Sequence, residues 1–183
     1  MGAEATVASQ RVHEGRLINL RVDTVRLENG RLTRREIVEH PGAVAVVALD
    51  DDDNVLLVRQ FRKPAEKELL EIPAGTLEVG EEPIACARRE LGEETGYLAE
   101  CLEQIGSFYS SPGFCTEYIR LYLATGLQEG RSAPEGDEAI ETIKVSLSDI
   151  PALVSRGEIC DGKSIAGLFS VLLPRLGLST TGG

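Results

Sequence analysis

Polar and apolar residues alternate along Leu20-Arg21-Val22-Asp23-Thr24-Val25, the period of a strand with one buried face. Glu28-Asn29-Gly30 interrupts the pattern, and Arg34 to Val38 resumes it. Asn-Gly between two such runs predicts a β-hairpin within residues 16–40, because both residues accept positive φ. Gly42 to Leu49 and Val55 to Phe61 are almost continuously apolar and are parted by the polar turn Asp50 to Asn54. Runs of that kind predict strands buried on both faces. Glu81-Glu82-Pro83 predicts a helix start, with Pro in the first turn and acids at the positive end of the dipole. Ile84, Ala87 and Leu91 follow at helical spacing as an expected core-facing stripe, and Gly96 is placed to close the helix. Further strands are expected at residues 105–109, 119–124 and 140–145. A short helix is expected at 148–155, and a last one from about Lys163 to Leu176 with Ile165, Leu168, Phe169 and Leu172 inward. Residues 1–10 and 179–183 show no such pattern and are expected to be a disordered terminus and a flexible tail.

These elements predict an α/β chain with one main domain over residues 41–178. The hairpin at 11–40 is too small to be stable alone, so it is expected to pack on a second subunit. At 183 residues the chain suits a single sizeable core rather than two.

Charge narrows the partners. A formal net charge of -11 disfavours nucleic acid and anionic membranes, which want a basic face. No apolar run approaches the ~20 residues needed to span a bilayer. Cys86, Cys101, Cys115 and Cys160 are widely spaced, and His13 and His40 are the only histidines. A Cys/His zinc site is therefore not expected, and free thiols in a reducing cytoplasm are.

The acidic residues are not spread evenly. Glu90, Glu93 and Glu94 lie within one and a half turns of the expected helix, where residues three and four apart are neighbours. Three carboxylates so close repel one another unless something positive joins them. An oxygen-only donor set suits Mg2+, with Mn2+ as a substitute, far better than zinc. Divalent ions held this way commonly serve phosphoryl or pyrophosphate chemistry.

The frame around these acids is Gly75, five residues, Glu81, seven residues, then Arg89-Glu90-Leu91-Gly92-Glu93-Glu94-Thr95-Gly96-Tyr97. That frame resembles the Nudix box at every defined position. The resemblance implies the Nudix fold, an α/β/α sandwich around a mixed sheet, here with an N-terminal β-hairpin appended. It also implies Mg2+ held by Glu90, Glu93 and Glu94, with the backbone carbonyl of Ala74 as a further oxygen ligand. Arg89 is expected to position the glutamates.

Segments outside the box are similar to the ADP-ribose pyrophosphatase branch of that family. They are Arg34 to Val44, Arg59-Gln60-Phe61-Arg62-Lys63-Pro64, Glu71-Ile72-Pro73-Ala74-Gly75, Ser110-Ser111-Pro112-Gly113-Phe114, Asp137 to Glu141 and Asp161-Gly162-Lys163-Ser164. Pro112 stands sixteen residues beyond Gly96, the spacing of that branch. The likeness implies hydrolysis of ADP-ribose to AMP and ribose 5-phosphate by a homodimer joined through the hairpin. Arg62 would hold the diphosphate or terminal ribose. Arg35 and Glu36 would reach substrate bound by the other subunit. Ser111, Pro112 and Gly113 would line the terminal-ribose pocket, and Glu117 would reach across the dimer. Glu138 matches a metal-binding loop glutamate. Gly136 stands where several relatives have a glutamate base, so Glu138 or Glu93 takes the base role here, with Glu135 and Asp137 flanking the gap. Arg16 stands where some relatives sandwich adenine between aromatics. Alternatives stay open: another nucleoside diphosphate sugar, a dinucleotide such as NADH, or an ADP-ribose-sensing domain without catalysis.

Overall fold

The computed structural model describes residues 4–130 and 140–177. The chain divides into two compact units. One gathers residues up to Gly42 with Phe108–Tyr118, and the other gathers Ala43–Ser107 with the chain from Ile119 onward.

In the N-terminal unit, β1 (Ala5–Glu14), β2 (Asn19–Arg26) and β3 (Leu32–Glu39) form an antiparallel sheet in that order. The β2–β3 hairpin is the one expected, turning at Gly30 with φ 80° and closed by Leu27 and Arg31. Strand β1 corrects the expectation of a disordered start. Its residues are exposed throughout, so no buried face imprints an alternating pattern on the sequence. The segment after Tyr109 is tied to β3: Val38 N–H donates to Phe114 O at 2.8 Å and Thr116 N–H to Val38 O at 2.9 Å.

The second unit is built on β4 (Ala43–Leu49), β5 (Asn54–Arg62), β6 (Lys67–Glu71), β7 (Ala74–Thr76), β8 (Tyr97–Tyr109), β9 (Tyr118–Glu129) and β10 (Glu141–Ser146). They form a seven-stranded sheet of order β10-β5-β4-β9-β8, with β6 beside β5 and β7 beside β4. Strands β4 and β9 are parallel, whereas β4–β5 and β4–β7 are antiparallel, so the sheet is mixed.

Strand β4 is buried at every residue, as its apolar run requires, and its two faces serve two helices. Val44, Val46 and Ala48 pack with Cys86, Ala87 and Leu91 of α1 (Pro83–Thr95). Val47, on the opposite face, lies against Gly167 of α3 (Gly162–Arg175), where a Cβ would come within 3.1 Å of Val47 and 2.9 Å of Ile72. A helix therefore covers each face of the sheet. The short α2 (Ile150–Ser155) follows a 3-10 turn at Leu147–Asp149.

Two details depart from expectation. Ile84 is 47% exposed rather than core-facing; α1 meets the sheet through Cys86, Ala87 and Leu91, beyond its first turn. Strands β6 and β7 carry little sequence signal, because three of the five residues of Lys67–Glu71 are charged and Ala74–Thr76 is only three residues long.

Candidate active site

Helix α1 begins at Pro83 and ends at Gly96, whose φ of 76° lets its N–H close on Gly92 O at 3.0 Å. Between them the helix carries Arg89, Glu90, Glu93 and Glu94 to one place. Glu94 is only 8% exposed, and its Oε2 accepts from Ala74 N–H at 2.9 Å. Burial pushes its carboxyl up to about 7; the Ala74 bond and the charges of Arg62 and Lys163 pull the other way, and Glu90 adds to the rise. Glu90 is also raised, by burial first, with Arg89 opposing and Glu93 and Glu81 adding repulsion. Glu93 is the most open of the three, its side chain 40% exposed.

Arg89 binds the group together. Its Nε and Nη2 donate to Glu81 at 2.9 and 3.0 Å, and its Nη1 donates to Glu90 Oε1 at 2.7 Å and Glu93 Oε2 at 3.0 Å. The guanidinium beside Glu81 holds that carboxyl down at about 2. The expected positioning role of Arg89 has this geometry.

Glu90 reaches its place only because residue 75 lacks a side chain. A Cβ on Gly75 would lie 1.8 Å from the Glu90 Cδ. Strand β7 carries Gly75 and Ala74 along β4, with Ala74 opposite Ala45. Backbone and carboxylates are thus built into contact.

Among the described residues, no three His, Cys, Asp or Glu side chains already converge as a cation cage. Arg89 holds Glu90 and Glu93, and Glu94 is turned to the Ala74 amide. The donor set still fits a hard divalent cation: all oxygen, closely spaced, and buried beyond what free carboxylates favour.

Arg62 closes β5 and is held by Glu71, whose two oxygens accept from its Nε at 2.9 Å and Nη2 at 2.8 Å. Lys163 Nζ also donates to Glu71. Glu71 and Lys163 carry no recognisable role in the sequence, although Glu71 joins the Arg62 and Lys163 side chains here. A carboxylate at the inner end of a strand beside a lysine in a helix's first turn was the available signal.

In the N-terminal unit, Arg35, Glu36, Pro112 and Gly113 line one depression of about 350 Å³, with Arg21 and Phe114. Arg35 pairs with Glu4, Nε to Oε2 at 3.0 Å. Ser111 O accepts from Phe114 and Cys115 N–H, which makes residues 111–115 a tight turn. Glu117 lies next to this turn, its Oε1 3.7 Å from His40 Nε2. Arg16 is exposed. Glu138, with Glu135, Gly136 and Asp137, lies outside the described residues.

A mixed sheet covered by a helix on each face, with an acidic helix docked on a glycine of a short strand, defines the class. The chain belongs to the Nudix family: the family model described as the NUDIX domain matches residues 39–166. The model for the nucleoside diphosphate sugar hydrolase N-terminal domain matches residues 4–41, which spans β1 to β3. A protein of Bacillus subtilis (strain 168) named ADP-ribose pyrophosphatase is 48% identical over 164 residues, 88% of either chain. A protein of Bacillus methanolicus named methanol dehydrogenase activator is 44% identical, over 88% of this chain and 89% of its own. A solved structure titled as an ADP compounds hydrolase superposes with a TM-score of 0.85 over 98% of each chain, at 21% identity, which speaks for the fold alone. No helix among the described residues is long and apolar enough to cross a membrane.

Proposed function

We propose that this chain hydrolyses the diphosphate linkage of ADP-ribose, adding water to release AMP and ribose 5-phosphate. The carrying observation is the placement of Glu90 against Gly75 and of Glu94 on the Ala74 amide, two largely desolvated carboxylates one helical turn apart, both with raised affinity for protons through burial first. Clustered carboxylate oxygens withdrawn from water are a suitable ligand set for a hard divalent cation, which offsets their charge. Mg2+, or Mn2+ in its place, is the proposed occupant, held by Glu90, Glu93, Glu94 and the Ala74 carbonyl, with Glu138 as a further ligand. A divalent ion there would neutralise diphosphate charge and make water a better nucleophile at neutral pH.

The chain's own groups have separate tasks. Arg89 keeps Glu90 and Glu93 in register from behind, through charge-assisted bonds. Glu93, the most exposed acid, and Glu138 are the candidate proton acceptors. Arg62 offers a planar cation suited to a diphosphate. Ser111, Pro112 and Gly113 are the proposed lining of the terminal-ribose pocket, while Arg35, Glu36 and Glu117 would reach substrate across a homodimer formed through the β1–β3 sheet. The name of the Bacillus subtilis relative supports ADP-ribose as the substrate. Four free cysteines fit a reducing cytoplasm.

The test is product analysis over ADP-ribose, ADP-glucose, GDP-mannose and NADH, each with Mg2+ and with chelator. The proposal expects AMP and ribose 5-phosphate from ADP-ribose, fastest of the four and only with metal. Faster turnover of another substrate would move the assignment to it, and binding without turnover would make the chain a sensor.

A further inference from the structure

We propose that Glu71 is a positioning residue: together with Lys163 it sets the plane of the Arg62 guanidinium that receives the diphosphate. The inference rests on the hydrolase reading above, because Arg62 has a substrate to meet only if that reading holds.

Glu71 is 2% exposed, yet it is a carboxylate at the end of a strand. Its oxygens take the Nε–Nη2 edge of Arg62 as a bidentate pair, and Oε2 also accepts from Lys163 Nζ. A fork-to-fork pair fixes the plane of the guanidinium, which a single contact does not. Burial pushes the Glu71 carboxyl upward, but the Arg62 bond and the Lys163 charge outweigh it and hold it below its ordinary value. It therefore stays an anion.

Lys163 is misplaced by local rules. It stands in the first turn of α3, the positive end of the helix dipole, where a cation is disfavoured. Asp161 caps that turn, accepting from Ser164 N–H at 3.1 Å and from Lys163 Nζ at 2.9 Å. Ser164 Oγ in turn accepts from Ile72 N–H at 2.8 Å. The start of α3 is thereby bonded to Glu71 and Ile72, two residues ahead of Ala74, which bonds Glu94. Arg62 and Lys163 both act electrostatically on Glu94.

Stability alone does not account for this arrangement. Buried ion clusters are often matched or exceeded by apolar residues of the same volume, and Glu71 follows the apolar Leu69 and Leu70 and precedes the buried Ile72. Locally unfavourable choices that persist together point to function. Orientation of Arg62 is what the cluster delivers.

The test is a double-mutant cycle on Arg62→Ala and Glu71→Gln. The readouts are kcat and KM for ADP-ribose with Mg2+, the Kd of ADP-ribose by calorimetry in chelator, and the thermal midpoint. Glu71→Gln should raise KM and the metal-free Kd about tenfold, with kcat much less affected. The double mutant should match Arg62→Ala alone within about twofold, because Glu71 acts through Arg62. Effects that multiply in the double mutant, or a lower thermal midpoint with KM and Kd unchanged, would overturn the proposal. If Glu71→Gln does not fold, Glu71→Asp replaces it; the charge survives but the reach is shortened, so rescue of KM by Asp would also overturn it. If the wild type neither binds nor cleaves ADP-ribose, the substrate reading has failed, and the same cycle with inorganic pyrophosphate as probe still decides the role of Glu71.

Discussion

The carboxyl carbon of Glu90 lies where residue 75 would carry its Cβ, at 1.8 Å from that ideal position. Gly75 has no positive φ, so the constraint is space and not backbone conformation. Gly75→Ala should displace Glu90 and lower activity by about a hundredfold, since misplacing a site group by an ångström has that scale. The overpacking should also cost about 1–3 kcal/mol of stability. Kinetics and a melt of the same sample check both; an Ala variant with full activity would contradict the close approach.

Glu94 gives the metal-free protein a specific pH dependence. Its folded value of about 7 is above the ordinary 4.5, so the native state binds its proton more tightly than the unfolded chain. The associated stability is fully present below about pH 4.5 and is lost as pH rises through 7. Wild type minus Glu94→Gln in thermal midpoint should thus become more negative from pH 5 to pH 8, by about 1–3 kcal/mol in free energy. Metal should compete with the proton, so the Mg2+ concentration needed for half-activity should fall as pH rises from 6 to 8. A flat difference between the two proteins across that range would count against the buried carboxylate.

Arg89 predicts the opposite limb. Glu81 is held at about 2, so its contribution is present above 4.5 and lost as pH falls toward 2. Arg89→Met should leave Glu81, Glu90 and Glu93 without their shared cation, costing about 1–3 kcal/mol near neutral pH, since the cluster is partly open to solvent. The penalty should shrink as acid neutralises the carboxylates. Melts from pH 3 to pH 7 read this directly, and a pH-independent loss would indicate packing instead of charge.

Part of the fold was legible in the sequence because it obeys local rules. Leu20–Val25 and Asn29-Gly30 marked the hairpin, and the apolar run from Gly42 to Leu49 marked a strand buried on both faces; in the run from Val55 to Phe61 that burial holds only through Val58, since Arg59 and Phe61 are exposed. Glu90, Glu93 and Glu94 stood out because their crowding needs a cation. Strand β1 was not legible, since a strand with no buried face leaves no period. Ile84 misled because helical spacing reports direction but not where along its length the helix meets the sheet. The Gly75–Glu90 approach and the Glu71–Lys163 bond join residues distant in sequence, and no single segment encodes them.

The N-terminal sheet supplies a fourth expectation. Val7 and Val12 of β1, Leu17 of the following loop and Leu32 of β3 are each about half exposed in the single chain, apolar surface that a partner could bury. The proposed homodimer would cover it. Light scattering should give twice the monomer mass, and Val12→Glu should shift the population toward monomer. A monomeric wild type at micromolar concentration would remove the dimer from the account.

The most direct test of the central claim is a Mn2+ titration by electron paramagnetic resonance, with a non-cleavable ADP-ribose analogue present. The free Mn2+ signal should disappear on adding wild type and should persist with Glu90→Gln and Glu94→Gln, both folded by circular dichroism. Equal Mn2+ uptake by all three proteins, or none by the wild type, would contradict a cation clamp on this helix.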